Sequence, residues 1–324
     1  MMNKTLLASA VALSLASASA QAITLYDQGG TKVDHYGRLQ LQLKNADGDN
    51  EIEDNGSRLG FRITHQIDDN LTAFGRVEFR FDADEREENT VFNDLRNSYI
   101  GLRGGFGKLT VGNFDSLYYS AVSSVTDIFE DDGYRALVEG GHRARGDMLA
   151  YETNDLGGFN LGVAARHYAN VGANNDDEEW NLHGYVQFTG IDNLTLALGV
   201  DQNNEDTGAA RNTSKPTSAA DFDPIIGASA VYRMDALTGS LLVEKAGDWT
   251  HLALGVNFDY GQGDLYAGAS LLDDGDDSGM DFAVGANYKF TRHFRTYAEV
   301  AVGNDDVSAI GDQTNVVVGM RLSW

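Results

Sequence analysis

Along most of this 324-residue chain, apolar and polar residues alternate one for one. In the final stretch NVVVGMRLSW, Val316, Val318, Met320, Leu322 and Trp324 share one phase, and Val317, Gly319, Arg321 and Ser323 the other. Leu39, Leu41 and Leu43 alternate with Arg38, Gln40, Gln42 and Lys44. Leu59, Phe61 and Ile63 alternate with Arg58, Gly60, Arg62 and Thr64, and Val77, Phe79 and Phe81 with Arg76, Glu78 and Arg80. A period of two predicts β-strands with two unlike faces. Sixteen such segments are legible, near 31–45, 56–67, 71–82, 94–103, 107–114, 146–154, 158–169, 180–189, 193–203, 225–233, 237–246, 250–260, 264–272, 280–290, 294–303 and 314–324.

Their connections alternate in length. Turn residues such as Asp68-Asp69-Asn70, Gly104-Gly105-Phe106 and Gly261-Gln262-Gly263 fill the short ones. The long ones are 46–55, 83–93, 115–145, 170–179, 204–224, 273–279 and 304–313, and only 247–249 is short on the long side. Short turns on one rim and long loops on the other predict an all-β fold, a closed antiparallel transmembrane β-barrel of 16 strands. Lipid offers the backbone no hydrogen bonds, so a spanning sheet must close on itself. A secreted soluble β-sandwich that binds carbohydrate would show the same alternation with its apolar stripes turned inward.

The N-terminus favours the membrane. MMNKTLLASAVALSLASASAQA has a basic residue at Lys4, an apolar run over 6–18 and a small-residue cleavage site at Ala20-Gln21-Ala22. It reads as a signal peptide over residues 1–22, cleaved after Ala22, followed by one barrel domain over 23–324. Later, no run of 18 apolar residues occurs, which excludes a membrane helix but not membrane strands. Cysteine is absent, which excludes thiol chemistry and thiolate metal sites. A formal net charge of −25 makes nucleic acid a poor partner. The two prolines, Pro216 and Pro224, sit in one polar loop, as expected where nearly all else is paired strand.

If the apolar stripes meet lipid, the alternate residues line a lumen. Arg38, Arg58, Arg62, Arg76 and Arg80 then face inward on the first three strands, with Glu78 as a partial partner. Arg96 and Ser98 are expected inward on the fourth and Tyr99 outward. A sixteen-strand barrel is too wide for its side chains to fill. The loop after the fifth strand, GNFDSLYYSAVSSVTDIFEDDGYRALVEGGHRAR over 112–145, is long, partly apolar and acidic. It is expected to fold into the lumen and present Asp127 and Glu130 across a narrowed channel to the arginines, a charge arrangement that filters ions.

The chain resembles the general diffusion porins of Gram-negative outer membranes. KVDHYGRLQLQL (32–43) is similar to their first strand. SRLGFRI (57–63), LTAFGRVEF (71–79) and SYIGLRGGFGKLTVGNFDSLYY (98–119) are similar to the next four and to the entry of the inward loop. TDIFED (126–131) stands where that family carries its acidic constriction segment. The resemblance implies a homotrimer in the outer membrane, surrounded by lipid and lipopolysaccharide, passing small hydrophilic solutes passively. It implies that Arg38, Arg58 and Arg96 are constriction bases, that Asp127 is an acidic loop residue, and that Glu130 or Asp131 is the second. A further base from the sixth strand falls to Arg143 or Arg145, and the spacing leaves both open. Phe129-Glu130-Asp131-Asp132-Gly133 departs from the family's usual Pro-Glu-Phe-Gly-Gly. Trp324 stands where a terminal Phe is usual and resembles the signal read by the outer-membrane insertion machinery. DADEREENTVFN (82–93) matches a loop that latches a neighbouring subunit.

Catalytic signatures are absent. The histidines His35, His65, His142, His167, His183, His251 and His293 lie on separate segments without zinc spacing, and there is no Gly-x-Ser-x-Gly. The chain therefore reads as no enzyme, with no cofactor. Acidic loops at 47–54, 174–179 and 272–281 suit loose Mg²⁺ or Ca²⁺, without calcium-loop spacing. The excess of acid predicts a mild cation preference. A substrate-specific oligosaccharide channel is the nearest alternative, with Tyr118, Tyr119, Phe129 and Tyr134 as a sugar-stacking track.

Overall fold

A computed structural model describes residues 22–46, 48–85, 92, 94–133, 136–137, 144–171, 177–202, 223–304 and 314–324. Within them the chain forms β1 (Ile23–Gln28), β2 (Thr31–Ala46), β3 (Asp49–Asp54), β4 (Arg58–Asp68), β5 (Leu71–Arg80), β6 (Asp94–Gly104), β7 (Gly107–Asp115), α1 (Leu117–Ala121), β8 (Ala144–Glu152), β9 (Phe159–Val171), β10 (Asp177–Ile191), β11 (Leu194–Asp201), β12 (Ile225–Met234), β13 (Leu237–Ala246), β14 (Trp249–Asp259), β15 (Gly263–Asp273), β16 (Ser278–Lys289), β17 (Phe294–Gly303) and β18 (Thr314–Ser323). Each of β4 to β17 pairs antiparallel with the next strand, and β18 returns to β2, from Asn315↔Ala46 to Ser323↔Arg38, closing the ring.

Eighteen segments fill sixteen barrel positions, because two positions each hold two segments. β3 pairs with Leu41–Ala46 and β4 with Thr31–Arg38, so they form one strand interrupted at 55–57. Likewise β1 lies against the first part of β2 (Ile23↔His35) and β18 against the second. The seam is fastened by Trp324. Its backbone exchanges hydrogen bonds of 3.0 Å with Gly37, and its indole Nε1–H donates to His35 Nε2 at 3.0 Å. A Cβ on Gly37 would lie 2.4 Å from the indole ring, so only glycine lets the ring lie there.

The wall is inside-out relative to a soluble core. Leu39, Leu43, Ile63, Leu198, Leu254, Val318 and Met320 are exposed, while Gln40, Glu78, Asn181, Glu244 and His251 are wholly buried. A soluble protein rarely exposes so large an apolar surface, and hydrocarbon accounts for it. A register shift opposite Glu78/Phe79 corrects the fourth predicted strand. There Arg96 is the extra residue of a β-bulge, and both Arg96 and Asn97 turn toward Glu78. Beyond the bulge the phase reverses. Ser98 pairs with Val77 on the outer face, and Tyr99 pairs with Arg76 and points inward, edge-on to Phe114.

Candidate functional site

The loop after β7 enters the lumen. Ser116 caps α1, its Oγ accepting the Tyr119 N–H at 3.0 Å, and a 3₁₀ turn over Ser123–Thr126 carries the chain onward. The loop's apolar side chains settle on a file of inward glycines. Val122 lies over Gly199, Tyr118 over Gly227, Ile128 over Gly255 and Phe129 over Gly268. Side chains on the wall would leave no room: a Cβ on Gly227 would stand 2.0 Å from Tyr118 Oη. Glu244 pins the same stretch. It accepts from Tyr118 Oη and from the Leu137 N–H, both at 2.8 Å, and bonds His251 Nδ1 at 2.9 Å. His251 Nε2 reaches Ser270 Oγ at 3.3 Å. A serine, a histidine and a carboxylate are thus in line, but all three are buried, and the set anchors the loop.

The loop tip is tied to the wall formed by β2, β17 and β18. Glu299 accepts the backbone N–H groups of Glu130 (2.8 Å) and Asp131 (3.0 Å). The Glu130 carboxylate accepts from Gln40 at 3.0 Å, from Arg321 Nη1 at 3.2 Å and from Arg295 Nη2. Asp131 and Asp132 share Lys44 at 2.7 and 3.0 Å. Burial and the adjacent Asp132 charge push the Asp131 carboxyl above its ordinary value. Asp132 is also buried, but Lys44 holds it below that value. Asp127 accepts from Tyr119 Oη at 2.5 Å.

Beside the tip stands the arginine wall. Arg38, Arg58 and Arg80 occupy directly facing positions on β2, β4 and β5, as do Arg62 and Arg76 on β4 and β5. Such like-charge neighbours repel. Glu78, wholly buried, offsets this: Arg96 donates to it at 2.7 Å, Arg76 donates to it, and Arg58 lies 3.9 Å away. Tyr36 Oη donates to Glu78 at 2.9 Å, and Arg62 stacks 4.3 Å over the Tyr36 ring. Wall and tip meet at Asn55 and Gly56. Their carbonyls accept from Arg38 at 3.0 and 2.8 Å, while the Asn55 amide donates to the Glu130 carbonyl at 2.7 Å.

A closed sixteen-position barrel with its third long loop folded inside, an acidic tip and an arginine wall agrees with the comparisons. The family model for Gram-negative porin matches residues 7–311. The chain is a Gram-negative porin. As a member of that family it is an outer-membrane diffusion channel for small hydrophilic solutes. The porin is 27% identical to a protein of Halomonas sp named "Monosaccharide porin", over 93% of this chain and 94% of that one. It is 26% identical to the outer membrane porin PhoE of Escherichia coli K12, over 96% and 99%. Among solved structures it superposes on Salmonella typhi OmpF, in complex with daunomycin, with a TM-score of 0.69 at 16% identity, covering 93% of this chain and all of that one. An anion-selective porin from Comamonas acidovorans gives 0.66 at 20%, covering 91% and 100%.

Several of the porin's contacts have no local sequence signature. Arg295, Arg321, Glu299 and Lys44 hold the loop tip, yet only Lys44 and Arg321 carry a signal, as bases on the polar phases of the first and last strands. Arg143 lies outside the described residues, and of Arg145 only the backbone is described, paired with Phe114. Among the described residues no aromatic track forms: Tyr118 and Phe129 are buried against the wall and Tyr119 is bonded to Asp127, while Tyr134 lies outside the described residues. The acids of 272–281 are engaged locally, Asp273 accepting the Gly275 N–H and Asp274 those of Asp276 and Asp277. Among the described residues, no group of three or more His, Asp and Glu is placed to hold a metal ion.

Proposed function

We propose that the inward loop and the arginine wall together form the filter of a general, non-specific pore. Arg38, Arg58, Arg62, Arg76 and Arg96 are its basic side. Asp127, Glu130 and Asp131 are its acidic side, with Arg143 or Arg145 adding a further base. The observation that supports this reading is the seating of Glu130 on Gln40, Arg295 and Arg321, beside the arginine wall. Opposed charges at a narrowing set ion preference, and the remaining width sets the size limit. Acidic outer loops gather cations around the mouth, so the pore prefers cations mildly. The functional unit is a homotrimer in outer-membrane lipid and lipopolysaccharide, delivered by a signal peptide cleaved after Ala22 and inserted through recognition of Trp324.

Two recordings test this. In a planar bilayer, insertion gives conductance in three equal steps; single steps would remove the trimer, and no ion current the pore. In a KCl gradient, Asp127→Asn with Glu130→Gln moves the reversal potential toward anions; an unmoved potential would place the loop away from the filter.

A further inference from the structure

At the short-turn mouth, three cations stand in register on adjacent strands. Lys289 on β16 faces Arg295 on β17, which faces Arg321 on β18. Residues directly opposite on one face sit with their Cβ atoms about 5 Å apart, where like charges are destabilising. Among the described residues, the hydrogen-bonded counter-charges of these three are fewer: Asp264 holds Lys289 at 2.8 Å, and Glu130 serves both arginines. Arg292, in the adjoining turn, lines the same small recess together with Thr291 and Ser323. This gathering of bases occurs in a chain of net charge −25, and none of it serves the arginine wall.

We propose that this recess is an oxyanion subsite, taking the carboxylate or phosphate group of a solute as it passes the short-turn mouth. The chemistry is already displayed there, since Arg295 and Arg321 hold the Glu130 carboxylate. Guanidinium groups present five donors in a planar fork matched to such oxygens. Arg295 Nε is buried without a hydrogen-bond partner, so it is offered to an incoming anion only when the Glu130 carboxylate gives way. Thr291 Oγ1 accepts the N–H groups of His293 and Phe294 at 3.1 Å each, so its own O–H can point at an incoming oxygen. The subsite rests on the reading of the barrel as an open pore, and adjoins the filter through Glu130.

Full-length channels in a planar bilayer in KCl provide the test, with inorganic phosphate or acetate added to one compartment at a time. Added at the short-turn side, phosphate reduces the current and half-saturates at a lower concentration than from the other side, because a site at that mouth follows the nearer compartment; loss of about one charge-assisted hydrogen bond in a variant raises that concentration roughly tenfold. Acetate in the second arm shows whether carboxylates share the site with phosphate; an effect of either anion supports an oxyanion subsite. Lys289→Gln with Arg292→Gln abolishes the asymmetry. Glu130→Gln, which removes the resident carboxylate, strengthens the effect. These opposite directions cannot both arise from misfolding. Channels that conduct KCl yet respond equally from both sides, or not at all, would overturn the subsite while leaving the pore intact.

Discussion

Replacing Gly227 with valine should lift the inward loop from its seat. The new Cβ would lie 2.0 Å from Tyr118 Oη and 3.1 Å from a Val122 methyl. Tyr118 and Val122 are wholly buried, so neither has slack. Overpacking a filled site costs about 1–3 kcal/mol. Withdrawal of Tyr118 also removes its 2.8 Å bond to the Glu244 carboxylate, a loss of about 1.5–3 kcal/mol for a charged acceptor. The sum is roughly 2.5–6 kcal/mol against the seated loop, which raises the unseated population on the order of 10²- to 10⁴-fold. Tyr118→Phe removes the hydrogen bond alone and should raise it roughly tenfold to a hundredfold. Single-channel recording reads the change as open-channel noise, and liposome swelling with sugars of graded size reads it as a larger cutoff. Gly227→Val channels as quiet and as narrow as the parent would refute the seating of the loop on the glycine file.

Two further outcomes follow from charges at the filter. Glu78→Gln leaves Arg58, Arg76 and Arg96 without their shared carboxylate; breaking a buried pair this way costs about 3 kcal/mol, the low end because the arginines keep some contact with lumen water. The urea midpoint of the detergent-folded barrel should fall and the reversal potential shift toward anions; an unchanged midpoint would mean that Glu78 does not hold the cluster. Because burial and Asp132 raise the Asp131 carboxyl, it takes up its proton at a higher pH than an ordinary aspartate. Acidification therefore removes one negative charge from the loop tip early, and anion preference should rise with it. Asp131→Asn should flatten the early part of that pH profile, and an identical profile would dismiss Asp131 as its source.

The strands were legible because one face of each meets hydrocarbon, and period-two alternation survives wherever two faces have different solvents. Alternation also placed Arg38, Arg58, Arg62, Arg76 and Arg80 on one face, with Glu78 among them. It failed at Tyr99, because the bulge at Arg96 adds one residue, and nothing local in Asp94–Gly104 marks it; the cause is Glu78 on the neighbouring strand drawing in both Arg96 and Asn97. The tether of Glu130 to Arg295 and Arg321 was invisible for a related reason. Partners 165 and 191 residues apart meet only after the ring closes. The glycine file was readable in part: Gly199, Gly227 and Gly255 sit on the inward phase of their strands, but their purpose depends on what lies above them.

The seam between β1 and β18 has a topological corollary. Both segments run in the same direction along one edge of β2, with Ile23 opposite His35 and Ser323 opposite Arg38. At about 3.4 Å per residue, those two partners lie roughly 10 Å apart along the strand. A linker of a few residues could therefore bridge Trp324 to Ile23, and new termini could be opened at a rim turn such as 261–262. Every rung of the ladder would be kept. The barrel is in this sense a ring without a privileged starting point, and a circularly permuted chain should still refold in detergent, where recognition of Trp324 plays no part, into the same tube.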